Sequence, residues 1–242
     1  MRFILILIAS LVLPTSLQAA SLRVNPVRVV LSGAHPIAAI TVTNTGDALV
    51  WLQMRLVAWS QSDGEDQFAP TRDILANPSI FKIAPGAEQI IRLGLQSAAV
   101  GREGSYRVFL EELPQSAHEH PNEVRTLLRI SIPVFTPAKD GSARIAWRLL
   151  RPKDGAAYLW FHNEGERHVQ INGVTLTDDD GHILEAQNMS LYVLPGAWRR
   201  ARLDAREPLP SGEHVNLHVA ADQDGVVLRP AAEAEAHGPG AD

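Results

Sequence analysis

Apolar side chains recur at every second position in several runs of this 242-residue chain. Val50, Leu52 and Met54, for example, are separated by the more polar or bulky Trp51 and Gln53. Successive side chains of a β-strand point to opposite faces, so each run predicts a strand with one buried face. The clearest runs of the first half are residues 38–43, 50–59, 90–95 and 106–111. Because no stretch has the pattern of a long amphipathic helix, we expect an all-β fold.

Turn signals separate these runs. They are Asn44-Thr-Gly46, Asp63-Gly64, Pro85-Gly86, Asp180-Gly181 and Asp224-Gly225. Glycine tolerates a positive φ, and Asn and Asp side chains bond to the nearby backbone, so these pairs favour tight turns. Short strands with turn signals every 8–12 residues or so are typical of a β-sandwich.

The alternation breaks once, at residues 136–142, where proline, charge and glycine follow one another. We interpret this segment as a linker between two sandwiches, with an N-terminal domain over residues 21–138 and a C-terminal domain over residues 139–230. The predicted strands of the second domain are residues 145–150, 157–162, 169–177, 189–194, 199–203, 215–220 and 226–228. Residues 231–242 offer no large apolar side chain to bury, and we expect them to be disordered.

The first 20 residues have the pattern of a secretory signal peptide. Arg2 precedes an apolar or small run over residues 3–13, and small residues end the segment. Cleavage after Ala19 and cleavage after Ala20 both fit this pattern. No later run approaches the roughly 20 apolar residues of a membrane-spanning helix. We therefore expect a protein that is exported and not embedded in a membrane.

Composition excludes several classes of function. The formal net charge is −5, so the basic face of a nucleic-acid binder is not expected. The chain has no cysteine, which excludes disulfides, thiol chemistry and cysteine-bound metal. We expect the cores alone to hold the exported protein together.

Candidate metal and catalytic motifs are weak. His118 and His120 lie in a polar loop that lacks a convincing third ligand. Asp178-Asp-Asp-Gly181 resembles part of a calcium loop, but Leu176 and Gln187 occupy the first and last ligand positions. No nucleophile elbow, phosphate loop or zinc-helix motif occurs. The sequence predicts no enzyme activity, no cofactor and no bound metal.

Segments in a fixed order give the chain a resemblance to the periplasmic pilus-chaperone family. Those of the first domain are residues 24–33, 41–44, 78–93 and 106–114, and those of the second are residues 157–163 and 194–196. The resemblance extends from about residue 22 to about residue 228. It implies two immunoglobulin-like sandwiches set in an L with a cleft between them, in a protein located in the periplasm; Ser-Ile-Pro-Val-Phe135 is similar to a divergent branch of that family.

The resemblance also implies a mechanism. Clients of the family are fibre subunits that lack their final strand, and the chaperone lends its own strand to the open groove. Pro133 is expected to weaken the pairing of this strand, or to cause a bulge. The donor series implied here is Val124, Thr126, Leu128, Ile130, Ile132 and Val134, with Leu128, Ile130 and Ile132 as the best candidates. The alternation alone also fits an ordinary strand whose apolar residues face the chain's own core.

A cationic anchor for the client's terminal carboxylate is the second implied element. Arg28 matches the family's arginine by its place in the first strand. Ser131 stands where the family has a lysine, so we expect a second arginine nearby, Arg92 ahead of Arg129. Each arginine also fits a solvated surface charge or an ion pair between the domains.

The partners implied are fimbrial or pilin subunits and an outer-membrane usher, and the sequence leaves open whether the free protein self-associates to cover its donor strand. Two other classes remain open on the sequence. A fibre subunit or adhesin would need its own N-terminal donor extension, whereas here the mature chain runs directly into a strand. An enzyme on a sandwich scaffold would need converging titratable groups.

Overall fold

The computed structural model describes residues 21–97, 102–114, 126–138, 141–150, 156–204, 209, 215–222 and 226–230. Every regular element in these ranges is a β-strand. No helix among them is long and apolar enough to cross a membrane. The predicted signal peptide, the predicted tail and the loop with His118 and His120 lie outside the described residues.

Within the described residues, ten strands form the first sandwich. They are β1 Leu22–Asn25, β2 Val29–Val30, β3 Ile37–Asn44, β4 Val50–Ser62, β5 Glu65–Pro70, β6 Ile74–Asn77, β7 Ile80–Ile83, β8 Glu88–Leu95, β9 Gly104–Glu112 and β10 Arg129–Thr136. One sheet has the order β1-β3-β8-β6 and the other has the order β2-β10-β9-β4-β5, with β7 also paired to β4. All four strand runs predicted for this half of the chain lie within β3, β4, β8 and β9.

Strand β4 illustrates how the alternation builds the sandwich. Its residues Val50, Leu52 and Met54 are buried in the first core, as the period of two predicts. The strand continues three residues beyond the predicted end and turns at Asp63 and Gly64, whose φ angles are 53° and 76°. Two successive positive φ angles give the tight turn that matches the twist of a β-hairpin, and β5 returns alongside β4.

In the part of the second sandwich that the structure describes, there are seven strands. They are β11 Arg144–Leu150, β12 Ala157–Asn163, β13 Val169–Thr177, β14 Ile183–Val193, β15 Trp198–Leu203, β16 Asn216–Ala221 and β17 Val227–Pro230. Their sheets have the orders β15-β12-β11-β17 and β14-β13-β16. Its core is separate from that of the first sandwich, because the two clusters of buried apolar residues share no member. The linker predicted near Lys139 falls between them, although Lys139 itself lies outside the described residues.

The same buried asparagine motif occurs in both sandwiches. In the first, the Asn44 side-chain amide donates to the carbonyls of Ala48 and Ile83. In the second, the Asn163 amide donates to the carbonyls of Arg167 and Val193. Each asparagine also accepts the backbone N–H of the glycine two residues later. Because an unpaired buried amide is costly, these bonds fix the strand connections at equivalent places in the two domains.

A third, smaller apolar cluster joins the two sandwiches, and we call it the domain interface. Trp59 and Phe135 come from the first sandwich, and Tyr192, Leu194 and Ala197 come from the second. The Trp59 and Tyr192 rings meet edge to face with their centroids 5.4 Å apart. Alongside, the side chain of Gln61 accepts the N–H of Leu194 at 2.9 Å and donates to the carbonyl of Tyr192 at 3.0 Å.

Candidate functional site

Strand β10 has one fully paired edge and one edge that is mostly open. Residues 129–136 pair antiparallel with β9 over the whole strand. On the opposite edge, β2 pairs only with Val134 and Phe135. Among the strands that the structure describes, residues 129–133 therefore have no partner on this second edge. An open edge of this kind is a template for another strand.

The backbone groups that reach the open edge can be identified from two hydrogen bonds. Glu112 N–H donates to the carbonyl of Leu128, and Leu31 N–H donates to the carbonyl of Phe135, both at 2.9 Å. Backbone groups of successive strand residues alternate between the two edges. Even-numbered residues thus bond to β9, and Arg129 and Ser131 present their N–H groups to the open edge.

The bulge expected at Pro133 does not occur. Pro133 lies opposite Arg107, and the register of β10 with β9 is unbroken from residue 129 to residue 136. Pro133 is one of the odd-numbered residues whose backbone nitrogen faces away from β9. Its missing N–H therefore removes no bond from the β9 ladder.

The predicted donor side chains leave the core progressively toward the start of β10. Val134 and Ile132 are 0% and 1% exposed and belong to the first core. Ile130 and Leu128 are partly buried, Ile130 against that core, and Thr126 is exposed. Ile132 and Val134 are thus corrected from donor positions to core positions, because they cannot enter another protein's groove without leaving their own core. Val124 lies outside the described residues.

Arg28 lies between the two domains, where its guanidinium binds the second sandwich. Its Nη1 donates to Asp222 Oδ2 at 2.5 Å. Its Nη2 donates to Gln170 Oε1 at 2.6 Å and to the Tyr192 hydroxyl at 3.4 Å. Burial by itself lowers the pKa of Arg28, but Tyr192 and Asp222 outweigh it, so the pKa lies above its usual value. In the free protein, Arg28 therefore forms an ion pair with Asp222 that links the two domains at the predicted cleft.

Arg107 is a cation of the cleft that sequence reasoning missed. Its side chain leaves β9 toward the domain interface, with the guanidinium carbon 3.7 Å from the Trp59 ring centroid and 5.1 Å from that of Tyr192. Its Nη1 donates to the hydroxyl of Ser131 at 3.4 Å, a long bond. Burial lowers the pKa of Arg107. The only signal in the sequence was that Arg107 alternates with the core residues of β9 and so faces outward. Most surface arginines of strands have the same property.

Arg28 and Arg107 meet at the same aromatic ring. The Arg28 guanidinium carbon is 6.0 Å from the Tyr192 centroid, a distance similar to that of Arg107. Ser131, at which the sequence analysis expects the family's lysine to be replaced, is exposed beside Arg107. The cation in contact with Ser131 comes from the neighbouring strand β9 rather than from β10 itself.

The two other predicted cations lie elsewhere. Arg129 pairs with Glu111 at 3.1 Å and lies over the Phe109 ring at 4.3 Å, on the outer face of its sheet. Arg92 alternates with the core residues Ile91 and Leu93, so it points outward from the other sheet, β1-β3-β8-β6. None of the contacts in the described ranges joins Arg92 to Arg28. The expectation that Arg92 lies beside Arg28 is therefore not met.

The acidic turn at residues 178–182 is a hairpin turn, as the sequence analysis favours. Asp178 accepts the backbone N–H of His182 at 2.8 Å and lies 3.0 Å from its ring Nδ1. Contact with His182 lowers the pKa of Asp178. Ligand atoms of Asp178, Asp180 and His182 lie within 4.8 Å of one another, but Asp180 and His182 are exposed and Asp178 is already engaged by His182. An exposed acidic group of this kind is common without a bound ion.

Comparison with known sequences points to one family. Residues 21–139 match the pili and flagellar-assembly chaperone family, PapD N-terminal domain. This match covers the whole of the first sandwich. No curated protein sequence matches the chain.

Solved structures match both sandwiches. A chain of the CsuC–CsuE chaperone–tip adhesion subunit pre-assembly complex, from archaic chaperone-usher pili of Acinetobacter baumannii, superposes with a TM-score of 0.63 at 19% identity, over 87% of this chain and 100% of that chain. The YadV chaperone superposes with a TM-score of 0.58 at 15% identity, over 84% of this chain and 94% of that chain. A chain of the Salmonella enterica SafA pilin–SafB chaperone complex superposes with a TM-score of 0.53 at 14% identity, over 83% of this chain and 96% of that chain. These likenesses confirm the predicted all-β fold of two immunoglobulin-like sandwiches.

Proposed function

Because the chain belongs to the family of pilus-assembly chaperones of the chaperone–usher pathway, we propose that it folds and caps the subunits of a bacterial surface fibre by lending them a strand. Residues 1–20 direct it to the periplasm, and an outer-membrane usher receives the subunits from it. The relatives solved with pilin or tip-adhesion subunits favour clients of this kind. The role is one of binding, without catalysis.

The open edge of β10 is the observation that carries this proposal. The N–H groups of Arg129 and Ser131 face it, and β9 supports the strand from behind along residues 129–136. A strand added at this edge gains main-chain hydrogen bonds, while alternate side chains provide specificity. The donor strand is therefore already built into a sheet before the client arrives, which reduces the ordering that binding requires.

Side chains at the start of β10 fit the same role. Ile130 packs at the rim of the first core, Leu128 is partly buried but is not a member of that cluster, and Thr126 continues the series as an exposed residue. An incomplete subunit has an apolar groove where its missing strand would lie. If the client packs against the open edge, these side chains extend the core of the first sandwich into that groove. Ile132 and Val134 anchor the strand from within the chaperone.

We assign the carboxylate anchor to Arg28 and Arg107, with Ser131 between Arg107 and the open edge. A terminal carboxylate that leaves water needs a cation and hydrogen-bond donors, since its burial is otherwise costly. Two guanidinium groups supply several donors in a planar arrangement. Arg28 is shared with Asp222, whereas Arg107 has no ion pair with any described residue. Arg129 is held by Glu111 and contributes at most a more distant charge.

Co-expression with the exported proteins whose genes neighbour that of the chain tests this function. We expect one of them to co-purify with the full chain as a one-to-one complex, measured by size-exclusion chromatography with light scattering. Expressed without the chain, that subunit should aggregate or be degraded, since its open groove is an aggregation hazard. Equal recovery of soluble subunits with and without the chain, and no complex with any of them, would refute the proposal.

A further inference from the structure

A buried histidine connects the two sandwiches. His168 immediately precedes β13, and Glu103 immediately precedes β9. One oxygen of Glu103 accepts the backbone N–H of His168 at 2.9 Å and lies 2.7 Å from its ring Nδ1. The two side chains are 7% and 2% exposed. Because a carboxylate only accepts hydrogen bonds, Nδ1 carries a hydrogen here.

The other ring nitrogen of His168 faces a second carboxylate. Its Nε2 lies 3.8 Å from Asp222 Oδ2, the same oxygen that accepts the hydrogen bond from Arg28. The imidazole stacks on Phe135 with a centroid distance of 3.5 Å and an angle of 6° between the rings. The Tyr192 ring is 5.9 Å away. These contacts place Glu103, Asp222 and Tyr192 around the imidazole, with Arg28 bound to Asp222 and Arg107 at the Tyr192 ring.

Charge balance in this buried group depends on the proton of His168. With a neutral imidazole, the cation hydrogen-bonded to the carboxylates of Glu103 and Asp222 is the guanidinium of Arg28, which binds Asp222. With an imidazolium, two cations balance the two carboxylates. Buried charges are tolerated when they are paired and hydrogen-bonded, and an unbalanced one is strongly destabilising. If the imidazole were neutral, its Nε2 would carry no proton and would face the negatively charged Asp222.

We propose that His168 is a proton-operated clasp between the two sandwiches. As an imidazolium, His168 binds Glu103 of the first sandwich and Asp222 of the second. These two contacts fix the domains at their interface. Histidine is the side chain that ordinarily changes charge between pH 5 and 8. The stabilisation is present while the imidazole is protonated and is lost as the pH rises and the proton leaves. The clasp does not depend on the proposed client.

Amide hydrogen exchange of the free, full chain tests the clasp. The informative amide is that of Leu194, which donates to Gln61 across the domain interface without contacting His168. After correction for the intrinsic exchange rate, the protection of the Leu194 amide should fall about fivefold between pH 6 and pH 8. A factor of about five is at the low end of typical coupling between two sites. In His168→Asn, which keeps a neutral donor near the position of Nδ1, the protection should not change with pH. The exposed His218 offers a matched control, and His218→Asn should behave as the wild type.

Equal protection of the Leu194 amide at both pH values in the wild type overturns the proposal. The same pH dependence in His168→Asn as in the wild type also overturns it, because another group would then carry the effect. If His168→Asn does not fold, Glu103→Gln serves in its place. This variant keeps an acceptor for the His168 N–H but removes the negative charge, and it should reduce the pH dependence. An undiminished dependence in Glu103→Gln contradicts the clasp.

Discussion

The guanidinium carbon of Arg107 lies 3.7 Å from the centroid of the Trp59 ring. Aromatic faces attract a cation without consuming its N–H donors. Tyr192 lies near the same group and also near Arg28, so both arginines are held at the domain interface by rings. Arg28 has Asp222 as its counterion, whereas Arg107 forms no ion pair with a described residue, and the carboxylate of Asp66 acts on it only from a longer distance. The cleft thus holds a partly buried positive charge next to the open edge of β10.

Removal of the Arg107 charge should weaken client capture. We expect Arg107→Gln to reduce the equilibrium yield of the client complex at least tenfold, because loss of one partner of a buried charge pair costs about 2–5 kcal/mol. The yield of co-purified subunit, and its rate of release from the complex, measure the effect. Arg28→Gln should have an effect of the same sign, with some loss of domain contact.

Arg129→Gln is the matched control for the anchor. Arg129 lies on β10 but pairs with Glu111 on the outer face of the sheet, with a side chain that is 56% exposed. An exposed pair contributes little, so capture should fall less than threefold. Equal losses in Arg107→Gln and Arg129→Gln would remove Arg107 from the anchor.

Two substitutions in β10 should separate the donor role from the core role. Leu128→Asp should abolish the client complex and leave the free protein with a cooperative thermal transition, since Leu128 is only partly buried and does not belong to the first core. Ile132→Asp should unfold the first sandwich, because an unpaired carboxylate at a site that is 1% exposed has no compensating partner. Circular dichroism melts and co-purification check both. A normal complex with Leu128→Asp would contradict the donor assignment.

A proline at Ser131 should block the open edge while leaving β10 in place. The Ser131 N–H faces the open edge, so Ser131→Pro removes a bond that only the client would make. We expect a folded protein with little or no client complex. Ile130→Pro is the control, because the Ile130 N–H faces β9 and its loss should lower the melting temperature. If Ser131→Pro captures the client as well as the wild type does, that N–H is not used.

Alkaline stability should depend on Tyr106. Burial and a 3.0 Å hydrogen bond to Asp73 raise its pKa from 10.0 to about 12. A raised pKa means that the stabilisation is complete below about pH 10 and is lost as the pH rises toward 12, with a magnitude on the order of 1–2 kcal/mol. Urea denaturation at pH 9 and at pH 11 measures the decline. Tyr106→Phe should reduce that decline, and an identical decline in both proteins would contradict the assignment.

Period-two alternation was sufficient to predict the long strands β3, β4, β8 and β9 of the first sandwich and the strands of the second. It works where one face of a strand is buried, as in β4 and β9. It underestimated β14, which begins at Ile183 rather than near Met189, because the first half of that strand has exposed or partly exposed residues on both faces. The sequence predicted the turn at Asp63 and Gly64, but it did not predict the length of the strands on either side of it.

The site was less predictable than the fold. Alternation cannot distinguish an apolar residue that faces its own core from one that faces a partner, and so Ile132 and Val134 were grouped with Leu128. The second cation was sought at Arg92, which lies on a strand of the other sheet, and at Arg129 on β10 itself, whereas Arg107 reaches Ser131 from the adjacent strand β9. Only the register of β9 against β10 brings these two residues together.

Amide hydrogen exchange of Ser131 in the free protein and in the client complex tests strand donation most directly. Its N–H faces the open edge of β10, so in the free protein we expect fast exchange. On binding, a strand of the client should accept this hydrogen, and exchange should slow at least tenfold, with Ile132 as an internal reference whose N–H is already bonded to β9. Formation of a stable one-to-one complex with unchanged exchange at Ser131 would contradict the account.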